Sequence, residues 1–248
     1  AYGAAATAPF ASSVIDTAQL LKIMLDNGAP TGDLQLVLNT TAGASLRTLG
    51  QLTKANEAAD NTLLRQGVLL DLHSFAIRES AQVKSHTAGT AAAATTNAAG
   101  YAVGATTITL AVAGTGSILA GDVVSFAGDA NKYVVVTGDA DVAGGGTIVI
   151  QAPGLKVAMS AAAKAITVTA THGANMAFSR SAMHLVTRTP LMPAGGDSAD
   201  DVTVVTDPRS GLSFQVAKYR QYRQTTYEVG IAWGVKASKV EHIARLIS

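Results

Sequence analysis

Between residues 206 and 233 the chain reads TDPRSGLSFQVAKYRQYRQTTYEVGIAW, and its apolar residues fall on every second position. Leu212, Phe214 and Val216 alternate with polar residues on the way out, and Tyr227, Val229, Ile231 and Trp233 do so on the way back. Period two is the signature of paired strands, so this stretch predicts a long two-stranded ribbon. Its outer half carries Lys218, Arg220, Tyr222, Arg223 and Glu228, a set too polar for a core. The ribbon is therefore expected to outrun its own core, with Phe214, Val216, Ile231 and Trp233 as the residues that reach it.

The first 85 residues alternate between helical and strand periods. Val14, Ala18, Leu21 and Leu25 recur at helical spacing, preceded by Ser13 and Asp16 as a capping-box variant and closed by Asn27-Gly28 and Pro30. DLQLVLN predicts a short strand. Thr40 or Thr41 is the expected cap of a second helix running through Leu46, Leu49 and Leu52. NTLLRQGVLLDLHSFAIRESAQV passes from a helix-like piece into a strand carrying Phe75, Ile77 and Val83. The opening AYGAAATAPF has no basic segment followed by an apolar one, so it is no signal peptide. It looks like the tail of a helix or a tether, and the chain reads as a processed product or a fragment.

From about residue 86 the character changes. HTAGTAAAATTNAAG is small and polar, a linker by composition. After it come TTITLAV, DVVSFAG, KYVVVTG, TIVIQA and AITVTAT, separated by glycines and Asp/Asn at regular intervals, as in a small all-β barrel or sandwich. NMAFSRSAMHLVTRTP then shows a helical period, stopped by Pro190. Residues 86–175 thus form an all-β insertion between two parts of a mixed domain, 1–85 and 176–248, and the ends of the insertion are expected to lie close together.

Composition narrows the function. With 248 residues and 48% hydrophobic content the chain can bury a real core, and a net charge of +1 gives no dominant pull toward nucleic acid or an anionic membrane. Residues 86–175 hold seven charged residues, whereas the last 73 hold fifteen, nine of them basic. The absence of cysteine excludes disulfides, thiolate catalysis and zinc-cysteine sites. No apolar run approaches the roughly 18 residues needed to span a bilayer.

The search for chemistry is thin. His73, His86, His172, His184 and His242 are scattered without HxxxH or HExxH spacing, and His184 reads as a partly exposed helical residue rather than a ligand. GTGSILAG lacks nucleophile-elbow spacing, and Gly121-Asp122 reads as a turn before a strand. AGGGTIV lacks the Lys-Ser/Thr of a phosphate loop and reads as a flexible hairpin tip. Asp139 with Asp141, and Asp197 with Asp200 and Asp201, offer oxygens to a hard cation but lack the full calcium-loop frame, so they read as solvated loops. The basic residues of the ribbon are diluted by Glu228 and glutamines and form no nucleic-acid stripe. No cofactor, metal or turnover chemistry is expected, and a structural or interaction protein is the better reading than an enzyme.

Several stretches together resemble the major coat protein of tailed phages, of the P-twenty-two type. DNGAPTGDLQLVLNTTAGASLRTLGQL is similar to that family's helix end, Gly-Ala-Pro turn, strand and following helix. LLRQGVLLDLHSFAIRESAQV matches at Gly67, Asp71-Leu72, Phe75 and Glu79-Ser80, with Ser74 standing where such proteins often have Gly. AGDVVSFAGDANKYVVV resembles the strands of the inserted domain. NMAFSRSAMHLVTRTPLMP and VTDPRSGLSFQVAKYRQ match the closing segments at Asn175, Ala177-Phe178, Ala182, Thr187-Arg188 and Asp207 to Leu212.

The resemblance implies an HK-ninety-seven-like capsid fold, of α+β class. An axial domain would comprise 13–85 and 176–204, with Val240, Ile243, Leu246 and Ile247 returning to it. A peripheral-domain β-ribbon would span 205–235, and an inserted β-domain 86–175. The family also has an N-terminal arm, an extended loop and a long spine helix before the equivalent of Ala1, and only the end of that helix could remain here. The function implied is self-assembly of hexamers and pentamers into the icosahedral head of a tailed double-stranded DNA phage or prophage. Scaffolding and portal proteins would be partners, DNA would be enclosed without sequence-specific binding, and no membrane is involved. The protein would be assembled in the bacterial host cytoplasm and reside in the virion. Lys218, Arg220, Tyr222, Arg223 and Glu228 would form the subunit interface. The alternative is a virion- or cell-surface adhesion module that binds through the insertion, but 86–175 offers few aromatics beyond Tyr101, Phe126 and Tyr133.

Overall fold

The computed structural model describes residues 1–53 and 71–248. The chain runs through β1 (Tyr2–Gly3), α1 (Ile15–Asp26), β2 (Leu34–Leu38), α2 (Thr40–Thr48), α3 (Gly50–Thr53), β3 (Phe75–Glu79) and β4 (Ser85–His86). Five strands follow: β5 (Thr107–Leu110), β6 (Val123–Phe126), β7 (Tyr133–Thr137), β8 (Gly146–Ile150) and β9 (Ile166–Val168). The last third is strand joined by loops and 3-10 turns: β10 (His172–Ser179), β11 (Met183–Arg188), β12 (Asp201–Thr206), β13 (Ser213–Gln221), β14 (Gln224–Gly230), β15 (Ala232–Ala237) and β16 (Ile243–Ile247). The fold is α+β and mostly strand. It divides into two compact units, Ala1–Ala182 with Lys239–Ser248, and Met183–Ser238.

The first unit holds two sheets. One has the order β1-β16-β10-β2-β3, with β4 paired to the start of β10. β2 and β3 are parallel, as are β1 and β16, and the other pairs are antiparallel. Leu34, Leu36 and Leu38 of β2 bury against Leu20 and Met24 of α1, Leu46 of α2, Phe75 and Leu246, with Phe10 closing the cluster. The strand expected from DLQLVLN is thus present, and so is the return of the chain end, as β16.

Local chemistry explains the helix ends and corrects their caps. Gly28, at φ +77°, donates to Leu25 O and Ala29 donates to Met24 O, the paired bonds of a glycine-terminated helix. The expected Ser13/Asp16 capping box does not form. Val14 precedes the helix without a side-chain cap, and Asp16 Oδ2 instead accepts from Phe10 N at 2.7 Å, because the buried Phe10 folds the chain back over the helix start. The buried face is Thr17, Leu20 and Met24, and Ala18 and Leu25 face out. Leu20 and Met24 bring more apolar surface to the sheet than Ala18 can. For α2 the cap is Asn39, not Thr40 or Thr41: its Oδ1 accepts from Ala42 N at 2.8 Å.

The expected strand through Phe75 and Ile77 ends at Glu79, where Arg47 of α2 pairs with the carboxylate, and Val83 lies outside it. The helix-like piece before it, with Gly67, falls outside the described residues. His73 and Ser74, both at positive φ, form the two-residue turn that starts β3, with Leu72 and Phe75 exchanging backbone bonds. The opening residues are not a helix tail either: Tyr2 and Gly3 pair with Leu246 and Ile247.

One larger expectation is overturned. Residues 175–189, read as a helix, form the end of β10, a 3-10 turn at Arg180–Ala182, and β11. The buried positions of β10 include Asn175, Ala177 and Ser179, whereas Met176 and Phe178 take the less buried face. Asn175 is satisfied there, accepting from Asn39 N at 2.6 Å and donating to Leu246 O at 3.3 Å.

All five expected strands of the insertion form, in the order β5-β8-β7-β6-β9. They enclose their own cluster, including Ile108, Leu110, Val124, Phe126, Val135, Ile148, Ile150 and Ile166, completed by Ile118, Val142, Leu155 and Met159 from the loops. Tyr133 is buried with its hydroxyl donating to Asp129 Oδ2 at 2.6 Å, and burial, with that bond, pushes its pKa up to about 12. The stretch read as a linker is part of this module. Ala94 and Thr96 are buried, Thr95 bridges to Ala165, and Thr96 exchanges bonds with Lys164. Its small side chains let an irregular backbone lie flat against the sheet. The AGGGTIV stretch opens in a 3-10 turn, 142–144, capped by Asp141 with Val142 buried, and from Gly146 it runs into β8.

Candidate subunit interface

The second unit, 183–238, is strand with almost nothing inside it. One side chain is buried, Ala217 at 5% exposure. β12, β13 and β14 form an antiparallel sheet. The β12–β13 connection is held by Asp207, which accepts from Arg209 N, Ser210 N and Ser210 Oγ, and by Gly211 at φ +71°. Those bonds, the Ser210 hydroxyl foremost, hold the Asp207 carboxyl below the usual range. The Asp207–Leu212 motif is therefore turn chemistry.

Register assigns every side chain of this sheet to a face, because opposed residues share one and neighbours alternate. Asp201, Thr203, Val205, Phe214, Val216, Lys218, Arg220, Thr225, Tyr227 and Val229 fall together. On the other face Ala217, Tyr219, Glu228 and Gly230 line a cleft with Pro190 to Pro193 and Asp197. Tyr219 donates to Asp197 Oδ2 at 2.6 Å, and this bond raises its pKa to about 12. The first face is open in part: Phe214 and Val216 are half-buried, whereas Val205, Tyr227 and Val229 are exposed, the last two at 65%.

The five sequence-predicted interface residues are thereby sorted. Lys218 and Arg220 stand on the open face, at its charged end beside Tyr227. Arg220 pairs with Asp200 at 2.9 Å, both partly in solvent. Tyr222 and Arg223 make the hairpin turn, Arg223 at φ +59° with its guanidinium 5.7 Å above the Tyr222 ring. Glu228 belongs to the opposite face, where it lines the cleft and is itself exposed.

The predicted ribbon is also shorter and wider than expected. β14 stops at Gly230, β12 adds a third strand, and the chain then leaves as β15 to pair with β11, opposing Trp233 to Thr187 and Val235 to Leu185. Trp233, expected in the core, is 70% exposed. With Leu185 and Val235 it makes a second open apolar face, while His184, Lys236, Val186 and Arg188 occupy the reverse. Sequence reasoning missed this face because alternation marks a strand without saying whether a second layer covers it. His184 lies on β11, not on a helix.

The other candidates settle into structure. Thr17 Oγ1 meets His73 Nδ1 at 2.6 Å. His242 sits in the 3-10 turn before β16. Asp139 and Asp141 accept from nearby backbone N–H groups, Asp200 holds Arg220 and Asp201 opposes Lys218. Among the described residues, no group of three His, Cys, Asp or Glu is placed to hold a metal ion. A cleft of about 350 Å³ lies between α1 and the module, but its lysines are engaged: Lys22 with Asp26, Lys132 with Gly3 O, Lys156 near Asp26 O. His86, His172 and Asp122, far apart in sequence, are brought together. No helix of the described residues is long and apolar enough to cross a membrane. No protein-family model matches the chain, and no curated protein matches it.

Proposed function

We propose that the protein is a shell-forming subunit of the tailed-phage coat type, whose work is self-assembly around packaged double-stranded DNA rather than turnover. The observation that carries this reading is the second unit: 56 residues, 34 of them in paired strands, that bury one alanine and present two apolar faces. Contiguous apolar surface of that kind on a soluble chain marks an interaction site, and many copies of one weak contact suffice to close a shell. The sequence resemblance supports the same reading, since its Gly28-Ala29-Pro30 and Asp207–Leu212 segments are both turns that organise their units. On this reading the sheet containing β2, β10 and β16 is the axial domain, 183–238 the peripheral domain and 86–175 the inserted domain of an HK-ninety-seven-like fold. Residues 183–204 then belong with the peripheral part, because β11 pairs with β15. The partners would be further copies, with scaffolding and portal proteins, in a virion.

The test is electron microscopy and light scattering of the purified protein, expressed with whatever residues flank this sequence in its gene. Closed shells are expected. Trp233→Ala is expected to cost about 2–4 kcal/mol per contact at a buried anchor and to abolish shells. A protein that stays monomeric at high concentration, or one in which Trp233→Ala assembles normally, overturns the reading.

A further inference from the structure

Residues 87–171 leave the first sheet and return to it at one narrow point. There β4 runs antiparallel to the start of β10, with His86 opposite His172 and Ser85 opposite Gly173. Directly opposed residues share a face, and the two imidazoles lie 5.6 Å apart. The wholly buried Asp122, in the turn before β6, is 2.7 Å from His86 Nε2 and accepts from Leu119 N at 2.7 Å and Gly89 N at 3.1 Å. Arg245 of β16 donates to Gly121 O at 2.6 Å. β4 and β16 thus grip a single turn of the module, 119–122, with the side chains of His86 and Arg245. Gly121 fits this grip at φ +94°, where a Cβ would come within 2.9 Å of His86 Cε1.

His172 is the unusual member. It is 2% exposed, and its Nδ1 lies 2.8 Å from Ala170 O, an oxygen that only accepts, so the ring proton sits on Nδ1. Nε2 is then a buried lone pair with no hydrogen-bond partner among the described residues. A proton placed there would face Arg245 from β16 and His86 from β4. Among the described residues two anions are close: Asp122, which already has both oxygens engaged, and the terminal carboxylate of Ser248, which accepts from Gly173 N at 3.0 Å. Lys84, two residues before His86, is exposed. Burial above all, then Arg245 and His86, lowers the pKa of His172, against the Ala170 bond and Asp122, which raise it.

We propose that this neck is an acid-sensitive latch: with His172 neutral, the His86–Asp122 and Arg245–Gly121 contacts hold the module's turn against the first sheet, and protonation of His172 releases it. The latch concerns the fold alone and stands whether or not the protein builds shells. Its sign follows from linkage. A histidine whose pKa is lowered on folding stabilises the fold fully above the ordinary value of 6.5, and that contribution is lost as pH falls from 6.5 through the lowered folded value.

The experiment is amide hydrogen exchange of the whole protein at about pH 7.5 and about pH 5.5, read as protection factors at Gly89 and Leu119, whose amides end on Asp122. The opening equilibrium can gain at most about tenfold per pH unit below 6.5, so wild-type protection is expected to fall on acidification by up to about tenfold across this window. In His172→Asn, whose amide can still donate to Ala170 O, it is expected to hold constant, with His172→Gln as the second variant. Equal falls in wild type and variants, or no fall in wild type, overturns the latch. So does a His172 imidazole NMR titration with its midpoint at or above 6.5, a measurement that needs no variant.

Discussion

The inserted module and the 183–238 unit are written in the same code, short runs of Val, Ile and Thr with glycine turns, yet only one of them has an inside. The module buries Phe126, Ile108, Ile118, Val135 and Ile148 almost completely. In 183–238, Phe214 and Val216 are half-buried and Leu185, Tyr227, Val229, Trp233 and Val235 stand in solvent. The difference lies in the connections. Loops of the module carry Val142, Leu155 and Met159 back over its sheet. In the other unit the single returning loop, Pro190 to Asp197, covers one face of one sheet. A strand pattern therefore specifies pairing, and covering residues decide whether the pairing is self-sufficient.

The comparison breaks most directly by separation. Residues 84–174, cut out with their neck, are expected to fold with a cooperative thermal transition, because the module has a complete core and a size above that at which staples become necessary. Residues 183–238 alone are expected to stay unfolded, with random-coil amide shifts. A cooperative transition in the second fragment, or none in the first, would show that the division between them is misplaced.

Within the whole chain the contrast sharpens to one pair of substitutions. Phe126→Ala is expected to cost about 3–5 kcal/mol, as for a fully enclosed aromatic. Phe214→Ala, on the open face, is expected to cost less than about 1 kcal/mol. Urea unfolding of the two variants checks this, and comparable costs would mean that the face around Phe214 is covered in the free chain.

The sequence made the module's strands legible because their buried positions are also their most apolar ones. It failed where burial and hydrophobicity part company. In β10 the buried positions include Asn175, Ala177 and Ser179, so Met176 and Phe178 advertise the wrong face and the run reads as a helix. In 86–100 the buried residues are Ala94 and Thr96, which carry no apolar signal. The neck was invisible because His86, Asp122 and His172 meet across separations of 36 and 50 residues, a distance that no local spacing rule spans. Of the interface set, Lys218 and Arg220 could be placed on one face by counting in twos. Trp233 was lost because β15 changes partners after Gly230, a step that depends on pairing energy with β11 and leaves no mark in the alternation.

The smallest expected effect tests the open face at its charged end. Arg220 pairs with Asp200 while 70% of its side chain is in solvent, and Arg223 rests over the Tyr222 ring at the hairpin turn. Exposed pairs of this kind contribute about 0–1 kcal/mol to a single chain, so Arg220→Ala with Arg223→Ala should leave thermal melting of the isolated chain nearly unchanged. If the proposed contact between copies uses this end of the face, loss of one partner of a desolvated charge pair there costs roughly 2–5 kcal/mol, and the same double variant should impair assembly. Melting and shell yield measured on one preparation separate the two contributions. Normal yield would remove Arg220 and Arg223 from the interface and leave its apolar residues to carry it. A large fall in melting temperature would mean that the Asp200–Arg220 pair holds β13 to the loop before β12, and the second unit would then owe part of its internal order to charge.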